Sequence, residues 1–430
     1  MRRRLAAIGA GAAVLVVAVA VVVVVTQSGG GPAPKPTATP TRTPRPTPTP
    51  TPSPPPLPAA GKGLAVGITE ANPNLIASPA NRTLQPPWSR WRADVGAIRP
   101  AFYRLLIDWA AIQPSAGVPA DLAQYQGGCA RDVPPCLPYS GLTEQLQALA
   151  SRQREGGWQA VVVILNTPAW AASAPSGCEK PGTGTGAQVP TAAGLAAYAQ
   201  LVKGILAVAG QAGATLRFWS AWNEPNLPQF LSPQRNSCDA SSPSLAPDAY
   251  AGIVRTLQQA LDEAPGDQQI VLGETAGILR DTGYLTSVQS FIAGLPRDVV
   301  CASTVWSQHG YIGGPDPAPA AEKALKARGC GRPFTIWITE TGVGPTSKKL
   351  SAARRIADPH AGCEALHRRL VRWWRDPAVT TAFQYEIRSD PAFPSGLVSE
   401  DLSRSTPALA EWTAWGGARE PSAPPPAVAC

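Results

Sequence analysis

The chain has 430 residues, of which 44% are hydrophobic and 15% are charged, and its formal net charge is +8. Residues 1–60 contain six Lys or Arg residues and no acidic residue, so the remaining 370 residues carry a net charge of only +2. A nearly neutral main part lacks the clustered basic face of a nucleic-acid-binding protein, and that class is excluded. The hydrophobic content excludes a wholly disordered chain, and 370 residues can bury a large core.

Residues 1–28 are predicted to form a membrane anchor or signal. Three arginines precede an uncharged run from Leu5 to Val25. As a helix with a rise of about 1.5 Å per residue, this run would extend ~31 Å, enough to cross a bilayer core. The apolar core of a cleavable signal is shorter, about 7–15 residues, so a retained single-pass anchor is expected, with cleavage after residues 26–31 as the alternative. The arginines would stay in the cytoplasm and the rest of the chain outside.

Residues 29–60 are predicted to be a disordered Pro/Thr-rich linker. Thirteen prolines lie within residues 32–58, largely alternating with threonine. This composition cannot build a core and favours an extended polyproline II spacer. The globular domain is therefore expected to comprise residues 61–430.

The eight cysteines form an even set in a chain expected to be exported, which favours disulfides. None lies in a CxxC pair, and with three histidines there is no zinc-ligand spacing, so we expect neither a metal nor another cofactor. The sequence leaves the connectivity open. The pairs we expect are Cys129–Cys136, with its short loop, Cys178–Cys238, Cys301–Cys330 and Cys363–Cys430.

Short β-branched or aromatic runs alternate with longer segments of helical spacing after residue 60. The predicted strands are Leu64–Ile68, Phe102–Ile107, Ala160–Leu165, Leu216–Trp222, Ile270–Leu272, Thr304–Ser307, Phe334–Thr339 and Ala382–Glu386. The predicted helices are Leu142–Arg154, Ala192–Ala212, Pro247–Ala264, Tyr284–Ile292, Pro319–Arg328 and Gly362–Arg375. Six tryptophans, at 88, 91, 373, 374, 412 and 415, fall in helical segments and are expected to serve packing.

Eight strand–helix units favour a closed α/β structure, a (β/α)8 TIM barrel. An open doubly wound sheet would need a glycine-rich phosphate turn after an early strand, and the sequence has none. Long insertions, which we expect to be disulfide-linked, follow several strands at Pro114–Pro138, Ala171–Pro190 and Leu227–Pro247. In a barrel, the loops that follow strands form the catalytic face, so these insertions are expected to wall a cleft there.

Two glutamates follow apolar strands at the predicted catalytic face. Glu224 comes directly after the fourth strand and is followed by Pro225, which cannot continue a central strand. Glu340 occupies the same place on the seventh strand. Paired carboxylates at one barrel mouth suit glycosidic bond cleavage, although a strand-end glutamate can also cap a helix or pair with an arginine. Four further strand-end residues are candidates for substrate contact or local capping: Glu70, Asp108, Asn166 and Glu274.

The two segments Trp222-Asn-Glu-Pro225 and Trp337-Ile-Thr-Glu-Thr-Gly342 resemble the signatures of clan A glycoside hydrolases, including the β-xylosidase and α-iduronidase-like family and cellulase-like relatives. The resemblance extends over most of residues 61–415. It implies a retaining (β/α)8 barrel with Glu224 as acid/base, Glu340 as nucleophile and Arg104 holding the nucleophile. Many members place a tryptophan at the end of the eighth strand, where this chain has Tyr385. Further segments resemble other strands of the clan, namely Phe102–Trp109, Thr167–Trp170, Trp306–Tyr311 and Gln384–Arg388. With the first motif they give the expected substrate-binding residues: Arg104, Asn223, Trp170, Trp306, His309, Tyr311 and Tyr385.

The expected function is hydrolysis of β-glycosidic bonds in extracellular oligo- or polysaccharides by double displacement, at the outer face of the cell membrane or in secreted form. Retention requires carboxyl groups about 5–5.5 Å apart, whereas inversion requires about 6.5–9.5 Å. The alternative is a non-catalytic carbohydrate-binding barrel on the cell surface. Beyond the carbohydrate and the membrane we expect no partner, and we expect a monomer.

Overall fold

The computed structural model describes residues 63–78, 83–343, 358–391, 393–417, 423–428 and 430. The predicted anchor, residues 1–28, and the predicted linker, residues 29–60, lie outside the described residues and stay predictions. Within the described part, one helix, Ala192–Ala212, has the length and composition to cross a membrane. Its buried face, which includes Tyr198 and Ile205, belongs to the core of the domain, as expected for a helix of the barrel.

Eight strands alternate with eight helices over the described residues. The strands are β1 (Ala65–Thr69), β2 (Phe102–Asp108), β3 (Gln159–Leu165), β4 (Phe218–Ser220), β5 (Gln269–Ile270 and Leu272–Thr275), β6 (Val305–His309), β7 (Thr335–Thr341) and β8 (Val379–Tyr385). The helices are α1 (Trp88–Ile98), α2 (Gly141–Gly156), α3 (Ala192–Ala212), α4 (Ala246–Asp262), α5 (Val288–Gly294), α6 (Ala318–Ala327), α7 (Pro359–Arg375) and α8 (Ala408–Gly417). Single-turn helices at Trp109–Ile112 and Arg297–Val300 and a hairpin of Tyr125–Gln126 with Tyr139–Ser140 lie in the connections.

The parallel strands close into a barrel. Each strand pairs with its neighbours in chain order, and β1 pairs with both β2 and β8. The fifth strand is interrupted at Val271: its first segment pairs with β4 and its second segment with β6. The two ends of the sheet are thus two consecutive segments of the chain, separated only by Val271, and the sheet is nearly closed. The predicted (β/α)8 fold is confirmed.

Side-chain alternation along the strands divides the core into two parts. A small cluster fills the barrel interior and includes Phe102, Phe218, Trp337 and Phe383, with ring centroids 4.9–6.5 Å apart. A methyl group at Gly67 of β1 would lie 2.2 Å from the Phe383 ring, so the interior requires glycine there. The larger cluster lies between the strands and the surrounding helices.

The helices bury apolar stripes against the barrel. In α4, Ile253, Leu257 and Leu261 are buried at the predicted helical spacing. The helical tryptophans also pack as predicted, since Trp88, Trp91, Trp373, Trp412 and Trp415 are each no more than 5% exposed.

The largest difference from the predicted helices is the start of α5. The prediction began at Tyr284, whereas the helix begins at Val288. The hydroxyl of Ser287 accepts a hydrogen bond from the backbone N–H of Ser290 and caps the helix. A serine N-cap supplies a partner for a backbone N–H that has none within the helix, and this sets the boundary.

All four expected disulfides form, and each joins the predicted partners. The Cys178–Cys238 bond ties the insertion after β3 to the insertion after β4. The insertion after β2 carries Cys129–Cys136, and its carbonyl oxygens accept hydrogen bonds from the buried guanidinium of Arg388, which follows β8. Four disulfides are typical of secreted or extracellular proteins, because reducing compartments do not maintain them.

Candidate active site

Glu224 lies just beyond the C-terminal end of β4. Its backbone has φ of 42°, a left-handed conformation that is uncommon for residues other than glycine. Its backbone N–H donates a 2.9 Å hydrogen bond to the carbonyl of Glu274, which fixes this turn to the end of β5. The Glu224 side chain is 15% exposed. Non-glycine residues in this region of φ are concentrated at functional sites.

Glu340 reaches the barrel mouth because β7 contains a β-bulge. Trp337 faces the interior, so strict alternation would turn the side chain three residues later toward the helices. The register with β6 slips between Ile338 and Glu340, where Ile338 pairs with Gln308 and Glu340 pairs with His309. The extra residue returns Glu340 to the inner face, as bulges commonly do next to active sites.

Glu224 and Glu340 face each other across His309. The Nδ1 atom of His309 lies 2.9 Å from Oε1 of Glu224 and 3.2 Å from Oε2 of Glu340. One carboxylate oxygen of Glu224 lies within 4.8 Å of one oxygen of Glu340. The imidazole is 1% exposed. The edge of one buried ring therefore contacts both carboxylates, and the side chains of Glu224 and Glu340 are 15% and 8% exposed.

Arg104 lies beneath this pair inside the barrel and is fully buried. Its Nη1 atom lies 2.8 Å from Oε1 of Glu340, and its Nη2 donates to Oε2 of Glu274 at 2.5 Å. Nη2 also donates to the side-chain oxygen of Asn223 at 2.9 Å. Arg104 thus contacts Glu340 in the way that the sequence motif implies, and it has no exposed surface with which to contact a sugar.

Three half-buried aromatic rings line the mouth beside Glu340. The hydroxyl of Tyr311 donates a 2.7 Å hydrogen bond to Oε2 of Glu340. Tyr385, at the end of β8, packs edge-on against Tyr311 with ring centroids 6.3 Å apart. Phe393 contacts both rings, at 4.8 Å and 5.6 Å. Phe393 was missed by the sequence analysis because it lies in a loop, where periodicity carries no signal.

The two tryptophans expected to bind sugar differ in position. Trp170 follows β3, is half-buried, and donates from its indole N–H to the carbonyl of Gln113. Trp306 is fully buried and packs against Phe291 of α5, with ring centroids 6.5 Å apart. The expectation for Trp306 is corrected: it alternates with the inward-facing Val305, so its ring points to the helices rather than to the cleft.

The other strand-end candidates make mainly local contacts. The carboxylate of Glu70 accepts hydrogen bonds from the backbone N–H groups of Asn72 and Arg388, each at 2.9 Å. Asp108 caps the short helix that follows it and accepts a 2.9 Å hydrogen bond from the side-chain amide of Asn166. These contacts match the capping interpretation.

Glu274 fits neither of the two roles predicted for it, which are substrate contact and local capping. It is fully buried, and its Oε2 atom contacts both Arg104 and His309, the latter at 3.0 Å from Nε2. It was not among the residues assigned to the site from sequence. The available signal was a glutamate at the end of a strand, which does not distinguish a cap from a member of the central charge network.

The charges in this network are set by burial and by close contacts. Burial raises the pKa of Glu224, and the hydrogen bond and charge of His309 only partly oppose this. Burial alone would lower the pKa of His309, but the charge of Glu340 and the hydrogen bonds to Glu224 and Glu274 raise it to about 10. Burial would raise the pKa of Glu274, but Arg104 and His309 lower it to about 2. The pKa of Glu224 is thus raised by burial, while a pKa of about 10 keeps His309 cationic at neutral pH.

Two groups of side chains among the described residues bring three potential metal-binding atoms within 4.8 Å of one another. The first group is Cys363, Glu411 and Cys430. Its two cysteines form a disulfide and therefore offer no thiolate. The other is Glu224, His309 and Glu340. Both ring nitrogens of His309 face carboxylate oxygens, as in a protonated imidazole that donates twice, and such a ring has no lone pair for a metal.

No protein-family model matches the chain, and no curated protein matches it in sequence. Its fold is similar to those of solved structures. A glucosidase from Croceicoccus marinus aligns with a TM-score of 0.52 at 11% identity, over 84% of this chain and 70% of that one. SrfJ from Salmonella typhimurium aligns with a TM-score of 0.52 at 10% identity, over 85% and 76% of the two chains. A GH53 catalytic domain from Ignisphaera aggregans aligns with a TM-score of 0.50 at 13% identity, over 85% and 98%. At these identities the likeness shows a shared barrel fold, and the neighbours with this fold include a glucosidase and a GH53 catalytic domain.

Proposed function

We propose that this protein is a retaining glycoside hydrolase that cleaves β-glycosidic bonds in extracellular oligo- or polysaccharides. The observation that carries the proposal is the pair Glu224 and Glu340. Their nearest oxygens lie within 4.8 Å, and their side chains keep 15% and 8% of their surface exposed while Arg104 and Glu274 are fully buried. This separation fits the ~5–5.5 Å of retaining enzymes and leaves too little room for the water that inverting enzymes place between their carboxylates.

In the first step, Glu340 acts as the nucleophile. Arg104 and the Tyr311 hydroxyl both contact its carboxylate and orient it. An oxygen of Glu340 forms a bond to the anomeric carbon while the bond from that carbon to the leaving oxygen breaks. Glu224, protonated because burial raises its pKa, transfers its proton to the leaving oxygen.

In the second step, Glu224 acts as the base. Now a carboxylate, it takes a proton from a water molecule whose oxygen attacks the anomeric carbon and displaces Glu340. The sugar leaves with its original anomeric configuration, and both carboxyl groups return to their starting protonation states. The cationic His309 lies beside both acids, so it offsets the negative charge that moves from one carboxylate to the other.

The substrate-binding residues are proposed from the cleft lining. Asn223 accepts from Arg104 through its side-chain oxygen, and its amide N–H groups are the proposed donors for the sugar 2-hydroxyl. Tyr311, Tyr385 and Trp170 offer half-buried rings for contact with sugar faces. Tyr385 occupies the strand-end position where many clan A enzymes have tryptophan.

The second candidate function is a carbohydrate-binding barrel without turnover. The half-buried aromatic rings at the mouth favour it as much as they favour an enzyme. Binding alone does not require two adjacent carboxylates held by a buried arginine and a buried histidine, and that arrangement favours the enzyme.

The exported location rests on the disulfides, and the mode of attachment is part of the proposal. A single-pass anchor at residues 1–28 with the linker at residues 29–60 would hold the barrel, as a monomer, at the extracellular face of the membrane. Cleavage of the first segment would instead release a secreted enzyme.

Chemical rescue of Glu340→Ala tests the proposal. The full chain is first assayed on aryl β-glycosides of several sugars, and the variant is then assayed on the best of them with and without azide. We expect the variant to be nearly inactive alone and to form the inverted glycosyl azide when azide occupies the space left by the carboxylate. Glu411→Gln is the matched control, because Glu411 is a fully buried glutamate that contacts a histidine on the outer helices.

Release of product by the wild-type chain, with no glycosyl azide from Glu340→Ala, would show that the nucleophile is assigned wrongly. Saturable glycan binding without release from any sugar would favour the non-catalytic alternative.

A further inference from the structure

Glu274, at the end of β5, contacts the groups around the proposed catalytic pair without reaching the cleft. Its Oε2 atom accepts from Nη2 of Arg104 at 2.5 Å and lies 3.0 Å from Nε2 of His309. The side chain is fully buried, so it has no surface for a substrate. Any effect of the Glu274 side chain on a reaction must therefore pass through Arg104 and His309.

The backbone of Glu274 adds a third connection. Its carbonyl oxygen accepts the 2.9 Å hydrogen bond from the backbone N–H of Glu224, and its own N–H donates to the Ser307 hydroxyl at 2.6 Å. Its φ is 50°, and it lies at a register shift between Leu272 and Thr275, where β5 pairs with β6. Glu274 thus contacts the turn that carries Glu224 through its backbone. Through its side chain it contacts Arg104 and His309, which both contact Glu340.

We propose that Glu274 is a positioning residue that holds His309 and Arg104 in place between the two reacting carboxylates and keeps the imidazole protonated. This inference rests on the proposed function for its consequence in catalysis, whereas the protonation of His309 is a property of the resting protein.

The charge balance of the cluster supports the assignment. The groups that face His309 are Glu224 after β4, Glu274 on β5 and Glu340 on β7. Arg104 shares two of these acids, and the Tyr311 hydroxyl donates to Glu340. With Glu224 protonated, the cluster holds two cations and two anions, so the buried charges balance.

Replacing Glu274 by glutamine upsets this balance. The cluster would keep two cations with one anion, which favours loss of a proton from the imidazole. The new side-chain amide could also donate to Nε2, which stabilises the neutral ring. Glu340 and Glu224 would still raise the pKa of His309, but the contribution of Glu274 would be lost, so burial would lower this pKa further than in the wild type.

The catalytic consequence follows from the position of His309. A neutral ring no longer offsets the charge that moves between Glu224 and Glu340, so the chemical step slows. Substrate binding is little changed, because Glu274 does not reach the cleft. We expect kcat of Glu274→Gln to fall by about 100-fold, the scale of small misplacements in catalytic geometry, with KM nearly unchanged.

Nitrogen NMR of the histidine side chains tests the protonation directly. The chain has three histidines, so the full-length protein labelled with ¹⁵N-histidine gives few signals to follow with pH. We expect His309 to titrate near pH 10 in the wild type and about 1–3 pH units lower in Glu274→Gln. Glu411→Gln, which removes the carboxylate that contacts His367, should alter the His367 signals and leave the His309 midpoint in place.

A wild-type His309 that titrates near its ordinary value of 6.5 would overturn the proposal, and this measurement does not depend on the folding of any variant. An unchanged midpoint in Glu274→Gln, or a loss of activity confined to KM, would overturn it as well. If the midpoint shifts as expected but the wild-type chain hydrolyses no glycoside, the proposed function fails and the electrostatic role of Glu274 stands.

Discussion

Replacing Glu224 by glutamine separates the two roles proposed for this residue. Glutamine has nearly the same size, and its carbonyl oxygen can still accept the 2.9 Å hydrogen bond from His309. The network around His309 is therefore largely kept. What the variant loses is the proton for the leaving oxygen and the carboxylate that later activates water.

The expected magnitude depends on the leaving group. General acid catalysis contributes roughly 10²–10⁴-fold, which corresponds to about 2.7–5.4 kcal/mol of activation free energy. An alkyl glycoside needs the full contribution, because an alkoxide is a poor leaving group. A dinitrophenyl glycoside needs almost none of it. We expect kcat/KM to fall by roughly 10²–10⁴-fold for the alkyl glycoside and by less than about tenfold for the dinitrophenyl glycoside.

The assay compares kcat/KM for both glycosides of one sugar, because this ratio reports formation of the glycosyl-enzyme and excludes its hydrolysis. Azide should then accelerate turnover of the dinitrophenyl glycoside by Glu224→Gln and give the azide of retained configuration, the opposite of the product from Glu340→Ala. The Glu411→Gln control should show the wild-type kcat/KM for both substrates. Equal slowing of both substrates by Glu224→Gln would refute the acid role, because loss of proton transfer must depend on the leaving group.

Two further predictions concern stability. The depressed pKa of Glu274, about 2 against an ordinary 4.5, contributes stability above pH 4.5 that is lost as the pH falls through about 2. The raised pKa of His309 contributes stability that is complete below pH 6.5 and lost as the pH rises through about 10. The urea midpoint of unfolding should therefore be highest near pH 6 and lower at both pH 3 and pH 10. Midpoints equally high at pH 3, 6 and 10 would contradict the charge assignments. Replacing Cys363 and Cys430 together by serine removes a bond that closes a loop with a sequence separation of 67, and should lower the unfolding free energy by about 4 kcal/mol. Denaturant unfolding at fixed pH measures this change, and a double variant as stable as the wild type would refute the estimate.

Local patterns in the sequence were sufficient for the barrel and for the two central glutamates. Alternating apolar runs and helical spacing predicted all eight strands, and an acid that follows an apolar strand marks the C-terminal face regardless of how the sheet closes. The four disulfide pairs were also predicted correctly.

The tertiary structure decided which way a side chain points and which groups surround a buried charge. Trp306 looked like a sugar platform, yet strand alternation turns it toward α5, and only the observed register reveals this. Glu340 needs a bulge to face inward. Glu274 is one of several strand-end acids in the sequence, and closure of the ring alone brings it to Arg104 and His309. Sequence periodicity reports which face of one strand is apolar, whereas electrostatic interactions depend on distances between strands far apart in the chain, and these exist only once the barrel is closed.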